Sequence, residues 1–195
     1  MPLDVATIAA ALARFAPREE AVDASRKAAV AALLRDRPGT AELLFIRRSV
    51  HPRDPWSGHM AFPGGRVDPG DAAPFDAAVR ETLEEVGFDL VSGARHVGRL
   101  SEVRTHLPLG RLPHSVVPFC FAVEGDPRFT LNHEVAETLW VPLSFLADRR
   151  NRSSFTWVRR GLPLPMPCYR FEGREIWGLT LRMVDELLEV SGASD

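Results

Sequence analysis

The stretch FPGGRVDPGDAAPFDAAVRETLEEVGF, residues 62–88, constrains the chain most. It breaks extended backbone at Gly64-Gly65 and then gathers Glu81, Glu84 and Glu85 into a turn and a half of helix. Pro74 in a first turn, Asp71 just upstream as a cap and Gly87 at the far end predict a helix over about 74–86. At about 100° per residue, Phe75, Val79, Leu83 and Val86 fall within about 80° of one another and form the expected inward face. The three glutamates span about 100° on the opposite side, so all three can aim at one point. Like charges at these spacings cost the helix a few tenths of a kcal/mol per pair, roughly, unless a cation lies between them. A hard divalent ion answers that need, because Mg²⁺ takes oxygen ligands and is commonly shared between carboxylates and substrate phosphates. Such an ion polarises a phosphoryl oxygen and turns bound water into a nucleophile. Gly64 and Gly65 add backbone freedom that lets a main-chain carbonyl approach the same point. The glutamates alone also read as an ordinary solvated face with Arg80 as a local partner; the strand, Gly-Gly and helix context is what favours a metal.

Around this stretch the chain reads as α+β. Leu3, Ile8, Ala9, Leu12 and Phe15 predict an N-terminal helix that ends at Pro17, within an extension over residues 1–20. RKAAVAALL and AELLFIRR predict two strands joined by a Pro-Gly turn, followed by a loop with a short strand into Phe62. ARHVGRLSEVRT, HSVVPFCFAV and AETLWVPL predict further strands, and LSFLADRR a short helix. SSFTWVRR and PCYRFEG form a late strand pair, before a C-terminal helix over about 177–190 with Trp177, Leu181, Val184 and Leu188 inward. RTHLPLGRLPH is the longest irregular connection. Together these elements predict a mixed central sheet between helices, an α/β/α sandwich built as one domain over 1–195.

The 195 residues are 45% apolar and 26% charged, the balance of a soluble globular chain. A net charge of -2 argues against gripping nucleic acid by bulk charge. No apolar run is long enough for a membrane span and no basic leader precedes Asp4, so a cytoplasmic location is expected. Cys120 and Cys168 sit among apolar or proline residues and read as core positions. Trp140, Trp157 and Trp177 are also assigned to the core.

The Gly, acid and Arg-Glu-x-x-Glu-Glu-x-Gly pattern resembles the signature of the Nudix hydrolases. Gly65, Arg80, Glu81, Glu84, Glu85, Gly87 and Phe88 match it. The first acid falls on Asp71 with one residue more than the usual spacing to Arg80, and Thr82 stands where a bulky aliphatic is expected. The resemblance implies a Nudix fold and divalent-metal-dependent cleavage of a pyrophosphate bond in a nucleoside diphosphate linked to another moiety. It implies Glu81, Glu84, Glu85 and the Gly65 main chain as ligands of Mg²⁺ or Mn²⁺, with Arg80 orienting the glutamates. Glu134 is the preferred general base by analogy, with Glu137 and Glu102 as further acids.

Upstream, LLFIRRSVHPRDPWSGHMAFPGG resembles the signature of the coenzyme A pyrophosphatase branch through Leu43, Leu44, Arg47 or Arg48, Ser49, Arg53, Gly58 and Phe62 to Gly65. Trp177, Gly178, Thr180, Arg182 and Met183 resemble the segment that closes the same branch, while the 104–119 loop departs from it. That likeness implies coenzyme A or acyl-coenzyme A as substrate, giving 3',5'-ADP and (acyl)phosphopantetheine. ADP-ribose or a dinucleotide is the alternative, and a non-catalytic nucleotide-binding module is the alternative of another class. Arg47, Arg48 and Arg53 are candidates for phosphate binding, since a guanidinium fork suits phosphate oxygens. Arg104 and Arg111 are secondary candidates. Gly64, Gly65, Trp56 and His59 are candidates for lining the pocket. The expected partner is a small nucleotide diphosphate, not nucleic acid or membrane, with a homodimer left open.

Overall fold

A computed structural model describes residues 3–51, 57–105, 113–159 and 162–193. Helix α1 (Val5–Leu12) leads, capped by the Asp4 carboxylate, and is shorter than the predicted run. The strands β1 (Lys27–Arg37) and β2 (Thr40–Arg48) meet at the two-residue turn Pro38-Gly39. They are followed by β3 (Met60–Ala61), β4 (Gly64–Arg66), α2 (Pro74–Val86), α3 (Leu90–Gly93), β5 (Ala94–Arg99), β6 (Val103–Arg104) and β7 (Ser115–Val123). After β8 (Val135–Pro142) and the short α4 (Leu143–Ala147) come β9 (Arg152–Arg159), β10 (Leu162–Phe171), β11 (Arg174–Trp177) and α5 (Gly178–Val190). The boundaries of α2 and α5 agree with expectation, and the late strand pair gains a third member.

Among the described residues the main sheet has eight strands, with the path β3-β2-β1-β7-β5; β4 pairs with β1, β6 with β7 and β8 with β2. Only the β1–β7 pairing is parallel, so the sheet is mixed. A separate antiparallel sheet has the order β11-β10-β9. Strand β1 is buried over eight consecutive residues, as a strand covered on both faces must be. Ala28, Val30, Ala32 and Leu34 face one core with residues of α1, α4 and α5, whereas Ala29, Ala31 and Leu33 face a second core with Ala77 and Ala78 of α2. This period of two makes the sheet the middle layer of the sandwich. Among the described residues no helix is long and apolar enough to cross a membrane.

The site depends on a fork in this sheet. Strands β1 and β2 pair from Arg37↔Thr40 to Leu34↔Leu43 and then diverge. The segment from Met60 to Arg66 fills the gap, with β3 paired to β2 and β4 paired to β1 through Ala29↔Gly65 and Val30↔Gly64. Pro63, which lacks an N–H, sits between them and accepts a hydrogen bond from Ala31 N (2.8 Å). Gly64 has φ 145°, and a Cβ there would lie 2.3 Å from Ala29 O and 2.6 Å from Val30 Cα. The wedge therefore excludes any side chain at this position.

The inward face of helix α2 is rotated from that expected: Phe75 and Val79 pack against the core and Val86 is buried, as expected. Leu83 is 50% exposed, whereas Ala77, Ala78, Thr82, Glu85 and Val86 are buried. Small residues at the contact bring the helix close to β1 and β4. Thr82 satisfies its hydroxyl within the helix by donating to Ala78 O (2.7 Å). Asp71 is not the cap; Ala73 is, and its N–H donates to Asp76. Cys120 and Cys168 are both fully buried, as expected.

The fork predicts that Gly64→Ala destabilises the fold by at least about 2 kcal/mol, through backbone clash added to a disfavoured φ. Gly39→Ala, at φ 91° with nothing within 4 Å, meets only the conformational cost, about 1–2 kcal/mol. Chemical denaturation of the two variants beside the unmodified chain checks the ranking, and equal losses would refute it.

Candidate functional site

The α2 glutamates straddle the edge of the buried face. The Glu85 carboxylate lies under the Gly64 backbone and accepts a hydrogen bond from Gly64 N at 2.8 Å, with only 2% of the residue exposed. The Arg48 guanidinium is 3.7 Å from its other oxygen. Glu81 lies against Gly65, where an added Cβ would fall 2.3 Å from the carboxylate. Glu84 is exposed. The motif's Gly-Gly thus has two separate reasons: Gly64 leaves room for the strands, and Gly65 leaves room for Glu81.

Arg80 organises the remaining charges. It donates to both oxygens of Asp71 (3.1 and 2.9 Å), to the Arg66 carbonyl (3.0 Å), to Glu81 (3.0 Å) and, more distantly, to Glu84 (3.5 Å). These partners raise its pKa, Asp71 foremost. The same pairing with Arg80 holds the Asp71 carboxyl below the usual range. The extra residue before the helix is therefore absorbed in the turn, and Asp71 still reaches the guanidinium. Its role is to anchor Arg80.

The three carboxylates are thus divided between Arg80 and the Gly64 amide. Among the described residues no three acidic, histidine or cysteine side chains are drawn into a ready-made metal-ligand group. All three residues stand on a turn and a half of one helix. Burial raises the pKa of Glu81 and pushes that of Glu85 up to about 7, and the charge of Glu134 adds to both shifts. Glu134 itself is exposed, and its N–H donates to the Asn132 side chain (2.8 Å).

The other predicted residues separate. Arg47 and Arg48 are neighbours on β2 but face opposite sides of the sheet. Arg48 meets Glu85, whereas Arg47 Nε lies 2.7 Å from Glu137 in ion contact outside hydrogen-bond alignment. Glu137 also takes two bonds from Arg174 (3.1 and 2.6 Å), which hold its carboxyl below the usual range. Arg47, His59 and Glu137 line a cleft between β2, β3 and the three-stranded sheet, away from the α2 glutamates. Glu102 is buried in an ion pair with Lys27 (2.7 Å) and bonded by Ser115, so it holds strand ends together and is not a free base. Arg104 is exposed and 3.8 Å from Glu20. Arg53, Trp56 and Arg111 lie outside the described residues. Trp157 and Trp177 are half-buried in the wall of the cleft, not in the core, and Trp140 is half-buried beneath the Arg35 guanidinium. No local signal marked these tryptophans as cleft residues, because strands far apart in sequence bring them together.

Glu85 makes stability depend on pH. Its carboxyl rises from 4.5 to about 7 on folding, so the folded chain favours the protonated form. The contribution is fully present below about 4.5 and is lost as pH rises through about 7. Glu85→Gln removes the buried charge while keeping an acceptor for Gly64 N. It is expected to stabilise the metal-free fold at pH 8 by up to about 3 kcal/mol and to leave stability at pH 4 little changed. Thermal unfolding at the two pH values checks this, and an equal effect at both would refute it.

Comparison with known proteins places this geometry. A model of the NUDIX domain matches residues 25–160. The uncharacterised Nudix hydrolase NudL of Yersinia pestis is 30% identical over 166 residues, which is 85% of this chain and 79% of the relative. An uncharacterised protein of Schizosaccharomyces pombe is 40% identical over 107 residues, or 53% of this chain, and the match spans 32% of that longer protein. A Deinococcus radiodurans structure superposes with a TM-score of 0.50 at 18% identity, covering 82% of this chain and 80% of that one. A MutT/nudix family protein from Enterococcus faecalis gives 0.50 at 16% identity, covering 92% and 63%; at these identities the two structures bear on the fold alone. The family model, the Yersinia relative and the Arg80–glutamate helix packed on Gly64-Gly65 agree: the chain belongs to the Nudix hydrolases, the pyrophosphohydrolases of nucleoside diphosphate derivatives.

Proposed function

We propose that this chain hydrolyses the diphosphate of coenzyme A or an acyl-coenzyme A, giving 3',5'-ADP and (acyl)phosphopantetheine, with Mg²⁺ or Mn²⁺ as cofactor. The observation that carries the reading is the packing of Glu81 and Glu85 against a backbone that has no Cβ to obstruct them. The donor set suits a hard divalent ion, because it consists of carboxylates and a carbonyl and contains no sulfur or imidazole. A carboxylate buried as deeply as Glu85, with its pKa lifted by desolvation, is also a group that a nearby cation would return to the ionised form. Glu81, Glu84 and Glu85, with the Gly65 carbonyl, would hold the ion. Bound there, it supplies charge neutralisation for the diphosphate and acidifies a water.

The chain's own residues supply the rest. Asp71 fixes Arg80, and Arg80 restrains Glu81 and Glu84. The Gly64 amide restrains Glu85. Arg48 sets a guanidinium beside Glu85, where it can meet a phosphate oxygen. Glu134 is half-exposed and close enough to raise the pKa of both Glu81 and Glu85, which suits a base that takes the proton of the attacking water.

Support for coenzyme A comes from the two stretches that resemble that branch, which meet in the fold. The Thr180 hydroxyl, in the closing segment, donates to the Met60 carbonyl (3.1 Å), just ahead of Phe62 to Gly65. Both are buried, so α5 holds the strand that delivers the Gly-Gly turn.

Glu84→Gln and Glu85→Gln are each expected to lower Mg²⁺-dependent hydrolysis at least about 100-fold while far-UV circular dichroism stays unchanged. Either variant working at the unmodified rate would remove the metal-helix assignment. Initial rates with Mg²⁺ on coenzyme A, acyl-coenzyme A, ADP-ribose and NADH test the substrate. Coenzyme A or its acyl form is expected to lead, and a wide preference for ADP-ribose would overturn the reading.

A further inference from the structure

The cleft on the far side of β2 differs in character from the acidic site. It has a volume of about 460 Å³, within the range that small-molecule sites occupy. One end is aromatic. The Trp177 ring is met edge-on by His59 (centroids 4.7 Å apart) and Phe155 (5.0 Å), and is flanked by Trp157 (5.5 Å). All four rings are half-buried, so each keeps surface open to solvent. The other end carries two guanidiniums, since Arg47 and Arg174 both meet the carboxylate of Glu137. Glu175 on the rim is paired with Arg170 (3.1 Å).

Rings beside a pair of guanidiniums fit a ligand that carries both a flat π-system and a phosphate. A nucleobase stacks on tryptophan whatever its hydrogen-bonding edge, and arginine suits phosphate oxygens. The pantetheine arm, an uncharged flexible amide chain, uses neither feature. From these residues we infer that the cleft is the subsite for the adenine nucleotide end of the substrate, with the base on the Trp157–Trp177 wall and a phosphate at Arg47 and Arg174. The inference rests on the hydrolase reading above and assigns a place to one half of that substrate. Arg47 and Arg48 are the last two residues of β2, so the cleft and the glutamates lie on either side of the same strand end.

The turn between β10 and β11 contributes to this wall. Glu172 and Gly173 both have positive φ (48° and 79°), the conformation of a tight two-residue hairpin that follows sheet twist. It sets Arg174 opposite Glu137 and leads β11 directly to Trp177.

The test is binding without hydrolysis. In EDTA, the unmodified chain is titrated calorimetrically with AMP, 3',5'-ADP, ribose 5-phosphate and phosphopantetheine, and tryptophan fluorescence is followed in parallel. Binding of AMP is expected to quench the fluorescence and to be at least about tenfold tighter than binding of ribose 5-phosphate, because the stacked base is the difference between them. Trp157→Ala should weaken 3',5'-ADP by a similar factor, Trp157→Phe should restore it, and Arg174→Ala should weaken 3',5'-ADP more than adenosine. Equal affinity for the base-free sugar phosphate, or phosphopantetheine binding that Trp157→Ala abolishes, overturns the inference. If Trp157→Ala does not fold, the ligand series on the unmodified chain decides alone. Coenzyme A hydrolysis without base-selective binding defeats the cleft assignment and leaves the function standing, whereas base-selective binding without hydrolysis does the reverse.

Discussion

The hydrogen bond from Gly64 N to Glu85 ties the candidate site to the fold. It joins the backbone of the sheet fork to the one glutamate that α2 buries, and it exists only because β1 and β2 part after four paired positions. Had the two strands stayed paired to their ends, the Met60–Arg66 segment would have no place in the sheet and α2 would have no carbonyl edge to dock on. The wedge is fixed from several sides: Ala31 bonds Pro63, β4 pairs with β1, and Thr180 of α5 bonds Met60. A carboxylate with 2% of its residue exposed thus has its position decided by strand topology rather than by its own helix.

Around that bond the charges are graded by depth. Glu85 is buried and pushed toward neutrality, Glu81 is intermediate, and Glu84 is in solvent. Arg80 balances the outer two, and Asp71 balances Arg80 from the turn before the helix. The outermost pair, with exposed Glu84, adds little stability. The effect of these pairs is geometric, since a bidentate pair with Asp71 leaves the guanidinium few orientations.

Much of this was legible in the sequence, for identifiable reasons. Pro74 and Gly87 fixed the ends of α2, and Pro38-Gly39 fixed the hairpin, because those residues restrict the backbone locally. The inward face of α2 is legible at Phe75, Val79 and Val86 but not at Leu83, because close approach to a sheet selects small side chains that apolar size does not mark. Ala77, Ala78 and Thr82 lie at the contact, and Leu83 lies outside it. The separation of Arg47 from Arg48 follows from the two-residue period of a strand and was available from the sequence once β2 was drawn. The aromatic cleft was not, since Phe155, Trp157 and Trp177 meet His59 only through the pairing of β9, β10 and β11 and the docking of β11 beside β3.

The placement of the three-stranded sheet has an evolutionary consequence. Its strands supply one wall of the cleft, while the glutamates belong to a helix on the opposite face of the main sheet. Sequence drift in β9, β10 or β11 reshapes that wall without altering the helix that carries the glutamates. Strand β2 borders both sides, with Arg47 turned to the wall and Arg48 to the helix, so a change there would be felt on each.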